Sequence, residues 1–145
     1  MHDLMVHDYG PGHQFASLHV ELPAEQDPLE AHDLIDNIER DFFKNDNLMV
    51  TIHYDPIVTS DAAVGVLRAR LTEKLRQMDP ELSLHDLRIV PGRTHTNVLF
   101  DLVLPAGYAG DKVELLEQLE QFIKEQDTAY SCIIKVEQSY TAAHK

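Results

Sequence analysis

The chain has 145 residues, of which 25 are acidic and 12 basic, so its formal net charge is −13 with histidine neutral. This charge repels a polyphosphate backbone and an anionic lipid surface, which makes nucleic acid and membranes unexpected partners. A single cysteine, Cys132, excludes an intrachain disulfide framework and a thiolate zinc cluster. No apolar run approaches the ~20 residues that span a bilayer, so we expect this chain to be soluble, without direct membrane insertion.

The first part of the chain predicts two strands, a helix and a third strand. A short strand begins at His2, and a turn over 9–12 leads into a strand that alternates with period two. Its inner face is predicted to comprise Ala16, Leu18, Val20 and Leu22, and its outer face Phe15, Ser17, His19 and Glu21. Asp27 and Pro28 then form a helix start signal, and a third strand is predicted over 49–55.

The second part repeats this order after one additional amphipathic helix over 60–78. His2-Asp3-Leu4 recurs as His85-Asp86-Leu87, 83 positions later, and Asp111 repeats the helix signal of Asp27, 84 positions later. The second strand of this copy is predicted to face its core with Val98, Phe100, Leu102 and Leu104. A last strand is predicted over 132–137.

This order predicts an α+β fold of two tandem ferredoxin-like (αββαβ) units, over 1–58 and 59–145. The first unit lacks the N-terminal helix that the second unit has, so we expect the chain to be a piece of a longer protein. With roughly 60 residues, the first unit is expected to need packing against the second unit or against another chain.

Acidic residues and histidines are concentrated in the first unit. Residues 1–58 hold twelve acidic and two basic side chains, a net charge of −10 against −3 for the remainder, and six of the nine histidines. Neutral imidazole nitrogen and carboxylate oxygen are ligands of Zn²⁺ and related divalent ions. The distribution therefore indicates a cation site in the first unit.

The candidate ligands lie on predicted outward faces. His53 and Asp55 are two positions apart on one strand, so their side chains leave the same face. His19 faces outward on the second strand, and His2 starts the first strand nearby. His32 lies near the start of the helix, away from its apolar stripe, and could reach a different metal or a neighbouring chain.

A His-x-Asp pair on a strand is also common at exposed polar positions, and spacing alone leaves that interpretation open. It is the one we adopt for His7, His13, His95 and His144. The second copy lacks the donor set, because His19, His32, His53 and Asp55 correspond there to Asp101, Leu116, Lys135 and Glu137. A lysine ammonium has no lone pair for a metal, which argues against a metal site in the second copy. Because the two copies share the fold pattern and differ at these positions, the donor set is not expected to be needed for folding.

Four sequence blocks resemble the cytoplasmic C-terminal domain of the cation diffusion facilitator (cation efflux) transporters. They are His2-Asp3-Leu4, Ser17-Leu18-His19-Val20-Glu21, Glu30-Ala31-His32-Asp33-Leu34 and Val50-Thr51-Ile52-His53-Tyr54-Asp55-Pro56. The resemblance covers about the first 57 residues. It implies a homodimeric ferredoxin-like domain that follows a transmembrane domain and lies at the cytoplasmic face of the cell membrane.

The resemblance also implies the ligands, which would be His2, His19, His32, His53 and Asp55, with Asp55 suited to bridging two ions. The implied function is metal sensing and dimerisation in a divalent-cation efflux transporter, without enzymatic activity, with metal favouring the closed dimer. Zn²⁺ fits these donors best, and Cd²⁺, Co²⁺, Mn²⁺ or Fe²⁺ are permitted. The family's usual form has one such domain, so the second copy either acts as an internal partner or extends a homodimer.

Two other functions stay open from the residues. One is a small-molecule-binding regulatory module of ACT-like type, although Gly10-Pro11-Gly12 is better interpreted as a hairpin connection than as a phosphate loop. The other is a metallohydrolase with a metal-bound water, which is disfavoured because no additional base stands out. Cys132 is expected to be a buried strand residue.

Overall fold

The computed structural model describes residues 1–59 and 61–139, with the side chain of Asp61 left aside; Ser60 and His144 lie outside them. Its elements are β1 (His2–Asp8), β2 (Gln14–Pro23), α1 (Pro28–Asp46), β3 (Met49–Ile57), α2 (Asp61–Met78), β4 (Ser83–Val90), β5 (Thr96–Leu104), α3 (Lys112–Gln126) and β6 (Tyr130–Gln138). The chain divides into two compact units, unit 1 (Met1–Ile57) and unit 2 (Val58–Lys145). The predicted α+β fold of two ferredoxin-like units, the first beginning on a strand, is confirmed.

Each unit contains a three-stranded sheet with its second strand at the centre. In unit 1, β2 pairs antiparallel with β1 and parallel with β3. The register sets His19 opposite His2 on one side and opposite His53 on the other. Three histidines that are distant in sequence therefore lie in one row across the sheet.

A β-bulge decides which face of this sheet His2 occupies. His2 pairs with His19 and Met5 pairs with Ser17, so β1 advances three residues where β2 advances two. At the bulge Asp3 adopts a left-handed backbone conformation with φ of 52°. Because side chains alternate along a regular strand, an unbulged β1 would place His2 on the face opposite Met5. The bulge returns His2 to the face of His19.

Helix α1 covers the other face of the unit 1 sheet. Ile35 packs there with the buried β2 and β3 residues Ala16, Leu18, Val50 and Ile52. The predicted helix start is confirmed, since the Asp27 carboxylate accepts hydrogen bonds from the N–H groups of Leu29 at 2.9 Å and Glu30 at 3.2 Å. Helix packing on this face leaves the side chains of the opposite face available for a site.

Unit 2 repeats the sheet and its bulge but has a larger core. His85 pairs with Asp101 and Arg88 with Leu99, and Asp86 has a φ of 50°. The predicted inner residues of β5 are confirmed as buried, each at most 1% exposed: Val98, Phe100, Leu102 and Leu104. Helices α2 and α3 both contribute to this core, which contains thirteen buried residues in the described part of the chain against five in unit 1.

Candidate metal centre

Asp55 is the centre of a side-chain cluster on the face of the unit 1 sheet opposite α1. Asp55 is 8% exposed and is the one buried charged residue in the part of the chain that the structure describes. Its Oδ2 lies 3.1 Å from Nδ1 of His19 and 3.2 Å from Nε2 of His2, and its Oδ1 lies 3.4 Å from Nε2 of His53. A carboxylate withdrawn from water needs hydrogen-bond donors or a cation, and three imidazoles surround this one.

The second notable atom is Nε2 of His2. It is buried and makes no hydrogen bond, although it lies 3.2 Å from Oδ2 of Asp55 and 3.6 Å from Oε1 of Glu21. Buried polar side-chain atoms are rarely left without a hydrogen bond. Among the described residues this nitrogen thus has no hydrogen-bond partner, and a bound cation could accept its lone pair.

The donor separations fit a small divalent ion. In a tetrahedral site with metal–ligand distances of about 2.0 to 2.2 Å, neighbouring ligand atoms are about 3.3 to 3.6 Å apart. The distances from Asp55 to the three imidazoles run from 3.1 to 3.4 Å, and that from His2 to Glu21 is 3.6 Å. His19, His53 and Asp55, whose donor atoms converge, could thus hold a metal, and His2 and Glu21 lie beside Asp55 as further donors.

The cluster provides room for more than one set of ligands. Two groups each have donor atoms within 4.8 Å of one another: His2, Asp3 and His19, and His19, His53 and Asp55. The ring centroid of His19 lies 5.1 Å from that of His2 and 4.8 Å from that of His53. With neutral imidazoles, the carboxylates of Asp3, Glu21 and Asp55 make this region negative, which attracts cations.

The structure brings together four of the five candidate ligands. The fifth, His32, is exposed on α1, and α1 packs on the sheet face opposite the cluster. His32 belongs to neither group of converging donors in the part of the chain that the structure describes. Within one chain, His32 and the cluster are therefore on different sides of the sheet.

Sequence reasoning missed two residues of this region, Glu21 and Asp3. Glu21 follows His19 by two positions as Asp55 follows His53, and it pairs with Asp55 in the sheet register. This shared two-residue spacing indicates from the sequence that Glu21 lies on the same face as His19. The position of Asp3 beside the His2 ring depends on the β-bulge, and the alternation of residues along a strand does not reveal a bulge.

Unit 2 has a different arrangement at the corresponding positions. Asp101 pairs with Lys135 in the register, and Nζ of Lys135 lies 3.0 Å from Oε1 of Glu137. Both side chains are exposed, at 64% and 45%. Among the described residues of unit 2, no three metal-ligating side chains converge as they do around Asp55. An ammonium group stands where the cluster of unit 1 has an imidazole.

Comparison with known protein families gives a match for unit 1. Residues 1–57 match the family described as cation efflux protein, cytoplasmic domain, and these are the residues of unit 1. No significant match was found among curated proteins or among solved structures. In the described residues, no helix has both the length and the apolar character needed to cross a membrane. Unit 1 of this chain is thus similar to the cytoplasmic domain of the cation efflux proteins.

Proposed function

We propose that this chain is a metal-sensing and dimerisation domain of a divalent-cation efflux transporter, with Zn²⁺ as the preferred ion. The family of unit 1 supports the link to cation efflux. The observation that carries the metal proposal is the buried Nε2 of His2, which makes no hydrogen bond and lies 3.2 Å from Oδ2 of Asp55. An imidazole lone pair and a carboxylate this close are stabilised by a cation between them.

The donor chemistry supports zinc. Imidazole nitrogen with carboxylate oxygen, and no thiolate, suits Zn²⁺ and also accepts Cd²⁺, Co²⁺, Mn²⁺ or Fe²⁺. His2, His19, His53 and Asp55 would hold the ion, and the bound charge would offset the carboxylates of Glu21 and Asp55. The bound ion has no catalytic role in this proposal.

Regulation follows from linkage between metal binding and the arrangement of two copies. Without metal, repulsion among the acidic residues favours an open pair. An ion that binds the closed pair better shifts the equilibrium toward it, by no more than its difference in affinity for the two states. The closed homodimer would act on the transmembrane domain of the parent transporter, at the cytoplasmic face of the membrane.

His32 has a separate role in this proposal. Because it is exposed on α1, on the sheet face opposite the cluster, it would ligate an ion across the interface with a second copy. Sedimentation velocity tests this directly. Zinc should raise the dimer fraction of the wild-type chain and raise it less in His32→Ala, while an identical response of both chains would remove His32 from the site.

Thermal unfolding with and without zinc tests the proposed site. Zinc at about 100 times its Kd should add roughly 2.7 kcal/mol of stability to the wild-type chain. The double variant His53→Ala/Asp55→Ala should lose most of this gain. The matched control is Lys135→Ala/Glu137→Ala, which changes the equivalent positions of unit 2 and should respond like the wild type. A full zinc response in the first variant would refute the assigned site.

A further inference from the structure

We propose that Asp3 is the positioning residue that makes His2 a metal ligand, through its backbone conformation and through its carboxylate. The inference rests on the proposed metal binding by unit 1. It concerns a residue outside the five candidate ligands, and it can be tested on the protein without metal.

The backbone contribution of Asp3 is to aim His2 at the correct face. The bulge at Asp3 moves His2 to the face of the sheet that carries His19. Left-handed backbone conformations are unfavourable for most residues and are tolerated by Asp and Asn. Asp3 therefore permits the bulged geometry in which His2 reaches Asp55.

The carboxylate of Asp3 selects which nitrogen of His2 carries the proton. Its Oδ2 lies 2.9 Å from Nδ1 of His2, and since an ionised carboxylate only accepts hydrogen bonds, Nδ1 donates. In a neutral imidazole, Nε2 then carries the lone pair. Metal-bound histidines are commonly oriented by such a contact from the other ring nitrogen to a carboxylate.

The surroundings of Nε2 are those of a ligand atom, since it is buried without a hydrogen bond and faces Oδ2 of Asp55 and Oε1 of Glu21. The alternative tautomer, with the proton on Nε2, would donate toward Asp55 and block the lone pair from a metal. The contact of Asp3 with Nδ1 thus favours the tautomer that can ligate over the one that donates to Asp55.

Direct ligation by Asp3 is the competing role, because Asp3 also belongs to a group of converging donors with His2 and His19. Two observations favour positioning. The oxygen nearest His2 is engaged with Nδ1, and the Asp3 side chain is 61% exposed whereas that of His2 is 17% exposed. A positioning residue acts on His2 before any metal arrives, whereas a ligand does not need to.

Unit 2 supplies a matched control for the backbone. Asp86 follows His85 as Asp3 follows His2, lies at the corresponding bulge and has nearly the same φ, 50° against 52°. Replacing Asp86 by alanine imposes a comparable backbone penalty far from the cluster in sequence. Any effect specific to Asp3→Ala is then an effect on the site of unit 1.

The test is nitrogen-15 NMR of the histidine side chains in the full chain without metal, at mildly alkaline pH. In the wild type and in Asp86→Ala, His2 should populate the tautomer protonated on Nδ1. In Asp3→Ala it should shift toward the tautomer protonated on Nε2. Asp3→Asn, which tolerates the left-handed backbone and keeps a carbonyl acceptor, should retain more of the wild-type signal.

Zinc titration of the same four proteins completes the test. The affinity should fall about 10- to 100-fold in Asp3→Ala, fall less in Asp3→Asn, and stay unchanged in Asp86→Ala. An unchanged His2 tautomer in Asp3→Ala overturns the inference, and weaker zinc binding with an unchanged tautomer would make Asp3 a ligand instead. A wild-type chain that binds no zinc refutes the proposed function, whereas equal binding by wild type and Asp3→Ala refutes this inference alone. Should Asp3→Ala fail to fold, the same comparison is made with Asp3→Gly, which adopts the left-handed backbone readily and also removes the carboxylate.

Discussion

Nδ1 of His19 lies 3.1 Å from Oδ2 of Asp55, although the two residues are 36 positions apart in the chain. The parallel register of β2 and β3 produces this contact, because it pairs His19 with His53 and Glu21 with Asp55. The cluster is thus a property of sheet register, and a slip of one residue would move these side chains to the other face. Unit 2 keeps the same register with other side chains, which makes it a built-in reference for experiments on unit 1.

Transplanting the donor set tests whether backbone geometry and side-chain identity suffice for metal binding. Asp101→His, Lys135→His and Glu137→Asp, together with the native His85, should create a zinc site in unit 2. The reason is that β4, β5 and β6 repeat the bulge and register of β1, β2 and β3. Metal per chain is measured in a His53→Ala/Asp55→Ala background, where we expect about one added zinc ion.

The control for this transplant is Asp101→His alone, which leaves the Lys135 ammonium in place and should bind no additional zinc. If the triple variant gains no zinc while remaining folded, the backbone geometry shared by the two units is insufficient for a site.

Hydrogen exchange should show that unit 1 opens more readily than unit 2. The described core of unit 1 has five buried residues, whereas that of unit 2 has thirteen and is covered by two helices. Amides of β2 should therefore exchange faster than those of β5, which carries four fully buried side chains. Equal protection of the two central strands would contradict this difference in core size.

The two helix caps should contribute separately to their own units. Asp111 accepts hydrogen bonds from the N–H groups of Val113 at 2.8 Å and Glu114 at 3.3 Å, as Asp27 does at the start of α1. Each Asp→Ala replacement should lower stability by about 0.5 to 2 kcal/mol. Hydrogen exchange read separately over each unit should locate the loss, with Asp27→Ala affecting unit 1 and Asp111→Ala unit 2.

Replacement by serine provides the control for both caps, because its hydroxyl can still accept the backbone hydrogen bonds. Asp27→Ser and Asp111→Ser should retain most of the stability that alanine removes. A serine variant as unstable as the alanine variant would show that the caps act through charge or packing instead.

Cys132 should be unreactive in the folded chain. Cys132 lies on β6 as predicted, but it is only partly buried. This partial burial raises the pKa of its thiol to about 12, with a smaller contribution from the negative charge of Glu120. Because the folded state favours the neutral thiol, this contribution to stability is present below the usual thiol pKa and is lost as pH rises toward the folded value. A disulfide exchange reagent at mildly alkaline pH should react slowly with native protein and fast after unfolding. Equal rates in the two states would contradict a protected thiol.

Most of the fold follows from local signals in the sequence. Period-two alternation identified the buried residues of β5, and Asp27 and Asp111 marked helix starts that the structure confirms. The third strands are longer than predicted, because pairing with the central strand continues to Ile57 in β3 and runs from Tyr130 to Gln138 in β6.

The candidate site was less predictable, since it depends on pairing between strands. The outward faces of His19, His53 and Asp55 could be read from alternation, and the structure brings these residues together. The position of His2 depends on the bulge at Asp3, and no local pattern indicates that its face is reversed. His32 was predicted as a ligand by resemblance, and its separation from the cluster follows from the packing of Ile35 on the opposite face.

The central claim is that unit 1 binds a divalent cation at Asp55 and that unit 2 does not. The most direct measurement is equilibrium dialysis of the full chain against zinc, with the bound metal quantified by elemental analysis. The matched variants are Asp55→Asn and Glu137→Gln, which remove one negative charge from equivalent strand positions. We predict that Asp55→Asn loses the bound zinc and that Glu137→Gln binds as much as the wild type. Equal zinc binding by all three proteins would contradict the account.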